Sequence, residues 1–272
     1  MSLTFEKWHG IGNDFVLIER VPVNLEECDL SELAQAVCKR TFGVGADGLL
    51  LAYSSDVADI RMVMLNPDGS EAEMCGNGLR CFAKWHHARV GGSGEYRIET
   101  GSGVLICQVV GEMVSVKMGD GVLLSEDFLS SVEIEGLTYD AQGVCMGNPH
   151  LVVFVPNELD IQTEKWGRNL EHHPAYHDRT NVHFLCKLAD GSLRQVTWER
   201  GAGITLACGT GACACAVAAR DYGWCGDSVL VHLPGGDLEI SMEGQSVTMT
   251  GPAVHSFNGK WLGKRGCWPD EV

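Results

Sequence analysis

The sequence predicts an α+β fold built from two similar halves, and three observations carry that prediction. Cys75 and Cys208 each open a turn of the form Cys-Gly-x-Gly that leads into a run of small and apolar residues. Strand-like segments stand before and after each run. The two cysteines lie 133 positions apart (208 − 75) in a chain of 272 residues. Recurrence of one plan at that spacing reads as a loose internal duplication. With 45% hydrophobic residues the chain has enough apolar surface for two modest cores. The expected arrangement is two α+β domains facing each other across a cleft.

In the first half, Thr4–Trp8 and Phe15–Ile18 are apolar runs joined through a glycine-rich turn at Gly10–Asp14, which reads as two strands. Ser31–Lys39 places Ala34, Val37 and Cys38 at helical spacing behind a serine cap. Leu49–Tyr53 and Ile60–Leu65 read as strands, followed by the turn Asn66-Pro67-Asp68-Gly69. A helix follows Cys75 to about Arg89 and stops at Gly91-Gly92-Ser93-Gly94. Tyr96–Glu99, Val104–Val110 and Val114–Met118 return to strand patterns.

The second half repeats the plan. Strands are expected at Val132–Ile134, Leu151–Val155, Val182–Leu185 and Ser192–Trp198. A helix after Cys208 reaches about Tyr222. Val229–Leu233, Leu238–Ser241 and Val247–Thr250 close the series.

Composition narrows the function classes. A formal net charge of -16 leaves no basic face for nucleic acid or an anionic membrane. Glu6 and Lys7 interrupt the N-terminus before any apolar run, so no signal peptide is expected. Twelve cysteines diluted over this length point to a reduced, cytoplasmic protein rather than a disulfide scaffold. Cys28, Cys107, Cys186 and Cys267 read as small core residues. Cys213 and Cys215 point to opposite sides of one helix and do not close a zinc site with Cys208. The run His172-His173-Pro174-Ala175-Tyr176-His177 lacks an accompanying carboxylate spacing and reads as a partly exposed loop. No metal is expected. Gly43-Val44-Gly45-Ala46-Asp47-Gly48 matches a dinucleotide fingerprint in letters only, because a strand follows it where a helix is required. No Walker loop is present, nor a persuasive lysine setting for a pyridoxal Schiff base.

The chemistry therefore rests on side chains. A thiol at a helix N-terminus meets free N–H groups and the positive end of the dipole, which favour its thiolate. The same N–H groups form a nest for a carboxylate. Two such devices in one chain, Cys75 and Cys208, supply one thiolate base and one thiol acid. That pair suits removal of a proton from one face of a carbon and its return on the other. Racemisation or epimerisation is the reaction expected. Arg200 offers a fork for a carboxylate, and Glu199 an acceptor for an ammonium or a group beside a thiol. Asn13, Asn66, Asn148 and Asn181 add amides, and His150 an imidazole, in turn and strand-edge settings.

These residues together resemble the diaminopimelate epimerase family. The matching segments are His9-Gly10-Ile11-Gly12-Asn13-Asp14-Phe15, Gly43–Gly48, Asn66-Pro67-Asp68-Gly69-Ser70 and Glu73-Met74-Cys75-Gly76-Asn77-Gly78. They continue through Gly147-Asn148-Pro149-His150, Arg179-Thr180-Asn181-Val182, Glu199-Arg200-Gly201 and Ala207-Cys208-Gly209-Thr210-Gly211. They span nearly the whole chain in the family's order. The resemblance implies that Cys75 and Cys208 are the acid/base pair, assisted by His150 and Glu199. It implies that Gly76, Asn77, Gly209 and Thr210 hold the reacting carboxylate. Asn13, Asn66, Asn148, Asn181, Glu199 and Arg200 fall at substrate-binding positions.

It further implies two pseudo-symmetric domains, each a curved mixed β-sheet wrapped around a central helix, and a homodimer without metal or organic cofactor. The expected halves are 1–116, joined by a returning segment 254–272, and 117–253. Three places depart from the family pattern: Gly48 where some members carry glutamine, Tyr176-His177 in place of Phe-Pro, and Ile204 in place of a polar residue. The implied reaction interconverts LL- and meso-2,6-diaminopimelate in lysine and peptidoglycan precursor synthesis. Two rivals stand beside it: a cofactor-independent racemase of another amino acid such as histidine, and a small-molecule binding protein with inert thiols.

Overall fold

A computed structural model describes residues 3–19, 30–72, 74–125, 129–156 and 162–263. Cys28, Glu73, Cys267 and the end of the expected returning segment, 264–272, lie outside the described residues. In chain order the first elements are β1 (Leu3–Gly10), β2 (Asn13–Ile18), α1 (Leu30–Cys38), β3 (Gly48–Tyr53), β4 (Ile60–Leu65), β5 (Glu71–Ala72) and α2 (Gly76–Val90). Next come β6 (Glu95–Thr100), β7 (Gly103–Val110), β8 (Met113–Asp120), β9 (Val122–Leu123), β10 (Ser131–Ile134), β11 (Leu137–Cys145) and β12 (Pro149–Phe154). The chain continues through α3 (Thr163–Glu171), β13 (Asn181–Lys187), β14 (Leu193–Glu199), β15 (Gly203–Thr205) and α4 (Gly209–Asp221). It ends in β16 (Ser228–Leu233), β17 (Gly236–Glu243), β18 (Ser246–Pro252) and β19 (Val254–Trp261). Two compact units result, one of residues 1–116 and 252–272, the other of 117–251.

The first unit is a mixed sheet around α2. β1 pairs antiparallel with β19 and β2, β2 parallel with β3, β3 antiparallel with β4, β4 parallel with β6, and β6 antiparallel with β7. Alternation along the strands divides the side chains between two layers. Val16, Ile18, Leu49 and Leu51 pack with Leu33, Ala34 and Val37 of α1. Phe15 and Leu50 point the other way, onto Gly78 of α2. Helix α2 buries Gly76–Ala83, Trp85 and His86 and touches β1, β2, β3, β4, β7 and β19, so the sheet wraps it. The β1–β2 turn is Ile11-Gly12 with φ of 47° and 86°, the signature of a type I′ hairpin. A β-branched residue at positive φ is strained, and Ile11 is nonetheless held there, buried.

The second unit repeats the same order of pairings. β11 pairs antiparallel with β12, β12 parallel with β13, β13 antiparallel with β14, β14 parallel with β16, and β16 antiparallel with β17. In each unit a two- or three-residue strand precedes the Cys-Gly-x-Gly helix: β5 on β4, and β15 on β14. Helix α4 touches β9, β11, β12, β13, β14, β16 and β17. The α+β fold of two similar halves is thus the one observed.

Strands β5, β9, β15 and β19 were not read from the sequence, and three further elements differ from it. Helix α1 begins at Leu30, so Ser31 stands in its first turn, where its Oγ accepts from Gln35 Nε2 at 3.3 Å, and is not the cap. Strand β11 carries Asp140, Ala141, Gln142 and Gly143, residues poor in strand preference. Pairing on both sides, with β10 or β9 and with β12, overrides that preference. Helix α3 was hidden by its polarity and by Gly167. That glycine is what the packing needs, because a Cβ there would stand 2.3 Å from Trp198 Cβ. In the duplicated plan α3 is the counterpart of α1.

Candidate active site

Helix α2 starts at Cys75, whose backbone is extended (φ -140°, ψ 109°) and whose Sγ accepts from the N–H of Gly78 at 3.4 Å. The thiol is itself the N-cap. Leu79 N–H goes to the Cys75 carbonyl at 2.8 Å. Gly76 and Asn77 are the first two residues of α2, where backbone N–H groups face out of the helix end.

Asn13 begins β2 next to this turn. Its Nδ2 donates to Asp47 Oδ2 at 2.7 Å, and its Oδ1 accepts from Asn77 Nδ2 at 3.2 Å and faces Cys75 Sγ at 3.9 Å. Asp47 is held by the backbone N–H of Asp14 at 3.1 Å and by Arg40 at 2.6 Å. Arg40 also binds Asp14, and Lys7, almost fully buried, reaches Asp14 at 2.5 Å. Burial alone would raise the Asp14 pKa. The hydrogen bonds and charges of Arg40 and Lys7 outweigh it and hold the carboxyl below its usual value. Four charged side chains therefore fix the Asn13 carboxamide with its oxygen toward the thiol. Asn66 behaves differently: its Nδ2 donates to Ser70 Oγ at 3.0 Å and its backbone N–H to the Ser70 carbonyl, so its amide shapes its own turn.

In the second unit Cys208 caps α4 with an extended backbone (φ -119°, ψ 104°), and its Sγ lies 3.7 Å from Thr210 Oγ1. It is 4% exposed, whereas Cys75 is half-buried. The residue after Thr210 has to be glycine. A Cβ on Gly211 would meet His183 Cε1 at 2.3 Å and Cys208 Sγ at 3.0 Å.

The strands of this unit gather the remaining polar residues at one sheet edge. In the β12–β13 register His150 stands opposite Asn181, and in β13–β14 Val182 stands opposite Trp198, one position before Glu199. Asn181 Nδ2 donates to the Pro149 carbonyl at 3.0 Å and its Oδ1 accepts from the Arg200 N–H at 3.0 Å. One amide thus ties the Asn148–His150 turn to Arg200. The Arg200 guanidinium makes a 3.0 Å bond to the Asp178 carbonyl through Nη1. His150 is fully buried, with Nε2 2.8 Å from Asn148 Oδ1 and Nδ1 2.8 Å from His183 Nε2. Both its nitrogens are occupied.

Glu171, His183, Gln195 and Thr197 were not singled out in the sequence. Glu171, at the end of α3, accepts from Trp198 Nε1 at 2.7 Å, from Gly201 N–H at 3.1 Å and from Arg179 Nη1 at 3.1 Å. Burial would raise its pKa, but those donors, together with the nearby His172, win and lower it. It pins the loop that carries Arg200. The only signal for Gln195 and Thr197 was their spacing of two in β14, which ordinarily marks a solvent face.

Other thiols are set apart by burial, which pushes Cys38, Cys81 and Cys107 up to about 12 and Cys215 well above its usual value. Among the described residues no group of three or more His, Cys, Asp or Glu converges as a metal set, and no helix is long and apolar enough to cross a membrane.

The family model for diaminopimelate epimerase matches residues 5–124 and 143–256. The chain is 42% identical over 273 residues to the diaminopimelate epimerase of Carboxydothermus hydrogenoformans, covering 96% of this chain and all of the relative. It is 44% identical to that of Moorella thermoacetica, covering 94% and 98%, and 42% identical to that of Synechocystis sp., covering 96% and 99%. In fold it resembles a phenazine biosynthesis protein of Bacillus anthracis (TM-score 0.72, 16% identity, covering 96% of this chain and 99% of that one). A hydroxyproline epimerase of Agrobacterium vitis is similar too (TM-score 0.69, 16% identity, covering 96% and 93%). With family motifs present in order from β1 to α4 and more than two-fifths of the residues shared along the whole length, the chain belongs to the diaminopimelate epimerase family.

Proposed function

We propose that this protein interconverts LL- and meso-2,6-diaminopimelate by a two-thiol mechanism that uses no metal or organic cofactor. The observation that carries the reading is the pair of thiol-capped helices, α2 and α4, in a member of this family. One cysteine, as thiolate, takes the α-proton and becomes a thiol. The other, as thiol, gives its proton to the opposite face of the same carbon and becomes a thiolate. The roles exchange in the reverse direction. The carbanion formed next to a carboxylate is poorly stabilised, so fixed dipoles must supply what water does not. The first-turn N–H groups of Gly76, Asn77, Gly209 and Thr210 are the donors assigned to that carboxylate.

Asn13 accepts near Cys75. Arg200 and Asn148, both positioned through Asn181, read the distal amino acid group with Glu199 and Asn66. His150 acts by holding Asn148, since both its nitrogens are engaged. The protein is placed in the cytoplasm as a homodimer, supplying lysine and peptidoglycan precursors. None of the ten cysteines among the described residues is in a disulfide, which suits a reducing compartment. A racemase of histidine or another amino acid is disfavoured, because the curated relatives compared are diaminopimelate epimerases.

The test is α-proton exchange in deuterated water with diaminopimelate, lysine and histidine, followed by chiral separation. Exchange and inversion with diaminopimelate alone, unaffected by chelator and by hydroxylamine, supports the reading. Equal turnover of lysine or histidine removes the named substrate, and restoration by zinc or pyridoxal phosphate removes the two-thiol mechanism.

A further inference from the structure

His183 is a fully buried histidine that the reaction as proposed does not use. It sits on the face of β13 that meets α4. Its Nε2 lies 2.8 Å from His150 Nδ1, and its Nδ1 lies 3.0 Å from Thr197 Oγ1 and 3.3 Å from Gln195 Nε2. Gln195 Nε2 also donates to Thr197 Oγ1 at 2.8 Å, and both residues are buried. A neutral imidazole carries one N–H, so with the Gln195 and Asn148 carboxamides oriented as they are the chain of contacts runs in one direction. At one end the NH2 group of Gln195 points at His183 Nδ1, making that nitrogen an acceptor. His183 therefore donates from Nε2 into His150 Nδ1, and His150 donates from Nε2 to Asn148 Oδ1, 2.8 Å away. The carboxamide oxygen at the far end agrees with the amide at the near end.

Burial keeps both rings neutral: it pushes His183 down to about 3, and burial together with His183 and Arg200 holds His150 well below its usual value. A charged ring would reverse one link, because imidazolium is a donor at both nitrogens.

We propose that His183 is a positioning residue that locks His150 in its Nε2–H tautomer and thereby turns the Asn148 carboxamide oxygen inward. The half-buried Asn148 then offers its NH2 group to the ligand. The site is specified for an acceptor at that point, a substrate carboxylate or carbonyl oxygen, and against an ammonium. The inference rests on the proposed epimerase reading for what Asn148 binds, but the tautomer does not depend on it.

Two measurements test it. Nitrogen-15 spectra of histidine-labelled wild-type protein are expected to show His150 protonated at Nε2 and bare at Nδ1; the opposite tautomer overturns the proposal. The second is steady-state kinetics of His183→Leu, His183→Gln and the triple variant His183→Leu/Gln195→Val/Thr197→Val. The triple variant removes Gln195 and Thr197 along with His183, so neither of those two is left buried without its partner. KM for diaminopimelate is expected to rise about tenfold or more in the triple variant, with kcat changed by less than about threefold, the effect of a misplaced charge-assisted bond. Glutamine can donate to His150 Nδ1, so His183→Gln is expected to stay within about threefold of the wild-type KM. A folded triple variant with wild-type KM overturns the proposal while the epimerase reading stands. Wild type that fails to turn over diaminopimelate overturns that reading, and the spectra then decide the tautomer lock by themselves.

Discussion

His183 occupies the space that a side chain at position 211 would need: its Cε1 lies 2.3 Å from where a Cβ on Gly211 would stand. The contact joins the first turn of α4, just behind Cys208, to the middle of β13. Gly211→Ala is therefore expected to push that turn off the sheet, costing about 1–3 kcal/mol, as overpacking does in dense interiors. Urea denaturation measures the loss. Gly211→Ala with His183→Ala should recover part of it, since contacting sites are not additive. Strict additivity of the two would show that the close approach is not what constrains position 211.

Cys75→Ala and Cys208→Ala are each expected to lower turnover by about 10²-fold or more, because each face of the carbon needs its own proton carrier. Circular dichroism should remain near wild type. Retention of more than about a tenth of the activity by either variant would end the two-base scheme. Thiol alkylation separates the third possibility, a binding protein: inert thiols would give no substrate-protected labelling at these two positions.

Acid should weaken the fold through the histidines before it reaches the carboxylates. The folded state holds His183 and His150 neutral, while the unfolded chain protonates histidine near about pH 6.5. The unfolded state thus binds more protons below that pH, and stability falls as pH drops from about 6.5 toward the depressed folded values. The slope is about 1.4 kcal/mol per pH unit for each histidine. His86 in the first unit is lowered by burial and adds in the same direction. The share of His183 is read as the difference in urea midpoint between wild type and His183→Gln, at about pH 7 and about pH 5. Parallel pH curves would contradict a neutral buried His183.

Glu171→Gln tests the anchor under Arg200. Glu171 accepts from Trp198, Gly201 and Arg179, and hydrogen bonds to a charged acceptor contribute about 1.5–3 kcal/mol each. Glutamine keeps one oxygen and loses the charge, so both stability and KM should suffer. An unchanged KM would mean that the Arg200 loop holds its place without this carboxylate.

Arg200→Lys should reduce kcat/KM for diaminopimelate about tenfold or more although charge is kept, because a lysine cannot reproduce a planar fork. Enzyme kinetics at fixed ionic strength measures it. Equal efficiency would remove Arg200 from carboxylate recognition.

Sequence by itself determined the two helix starts and most of the strands. Those features are local: a glycine turn, a small-residue run and alternation over a few positions each follow from nearby backbone preferences. The candidate residues at turns and helix caps were readable for the same reason. Tertiary structure alone decided what lay between the elements. Helix α3 is polar on average, which masks its short apolar face in the sequence, and it packs because Gly167 lets it lie on Trp198. The Asp47–Asn13 and Glu171–Gly201 contacts join residues about thirty positions apart. Gln195 and Thr197 carry the spacing of a solvent-facing strand, yet helices α3 and α4 both pack on β14. Burial of polar side chains there requires hydrogen-bond partners, and His183 supplies one only because β13 pairs with β14 in a register that sets it opposite Thr197. Register is a property of the paired strands, which neither strand's sequence states alone.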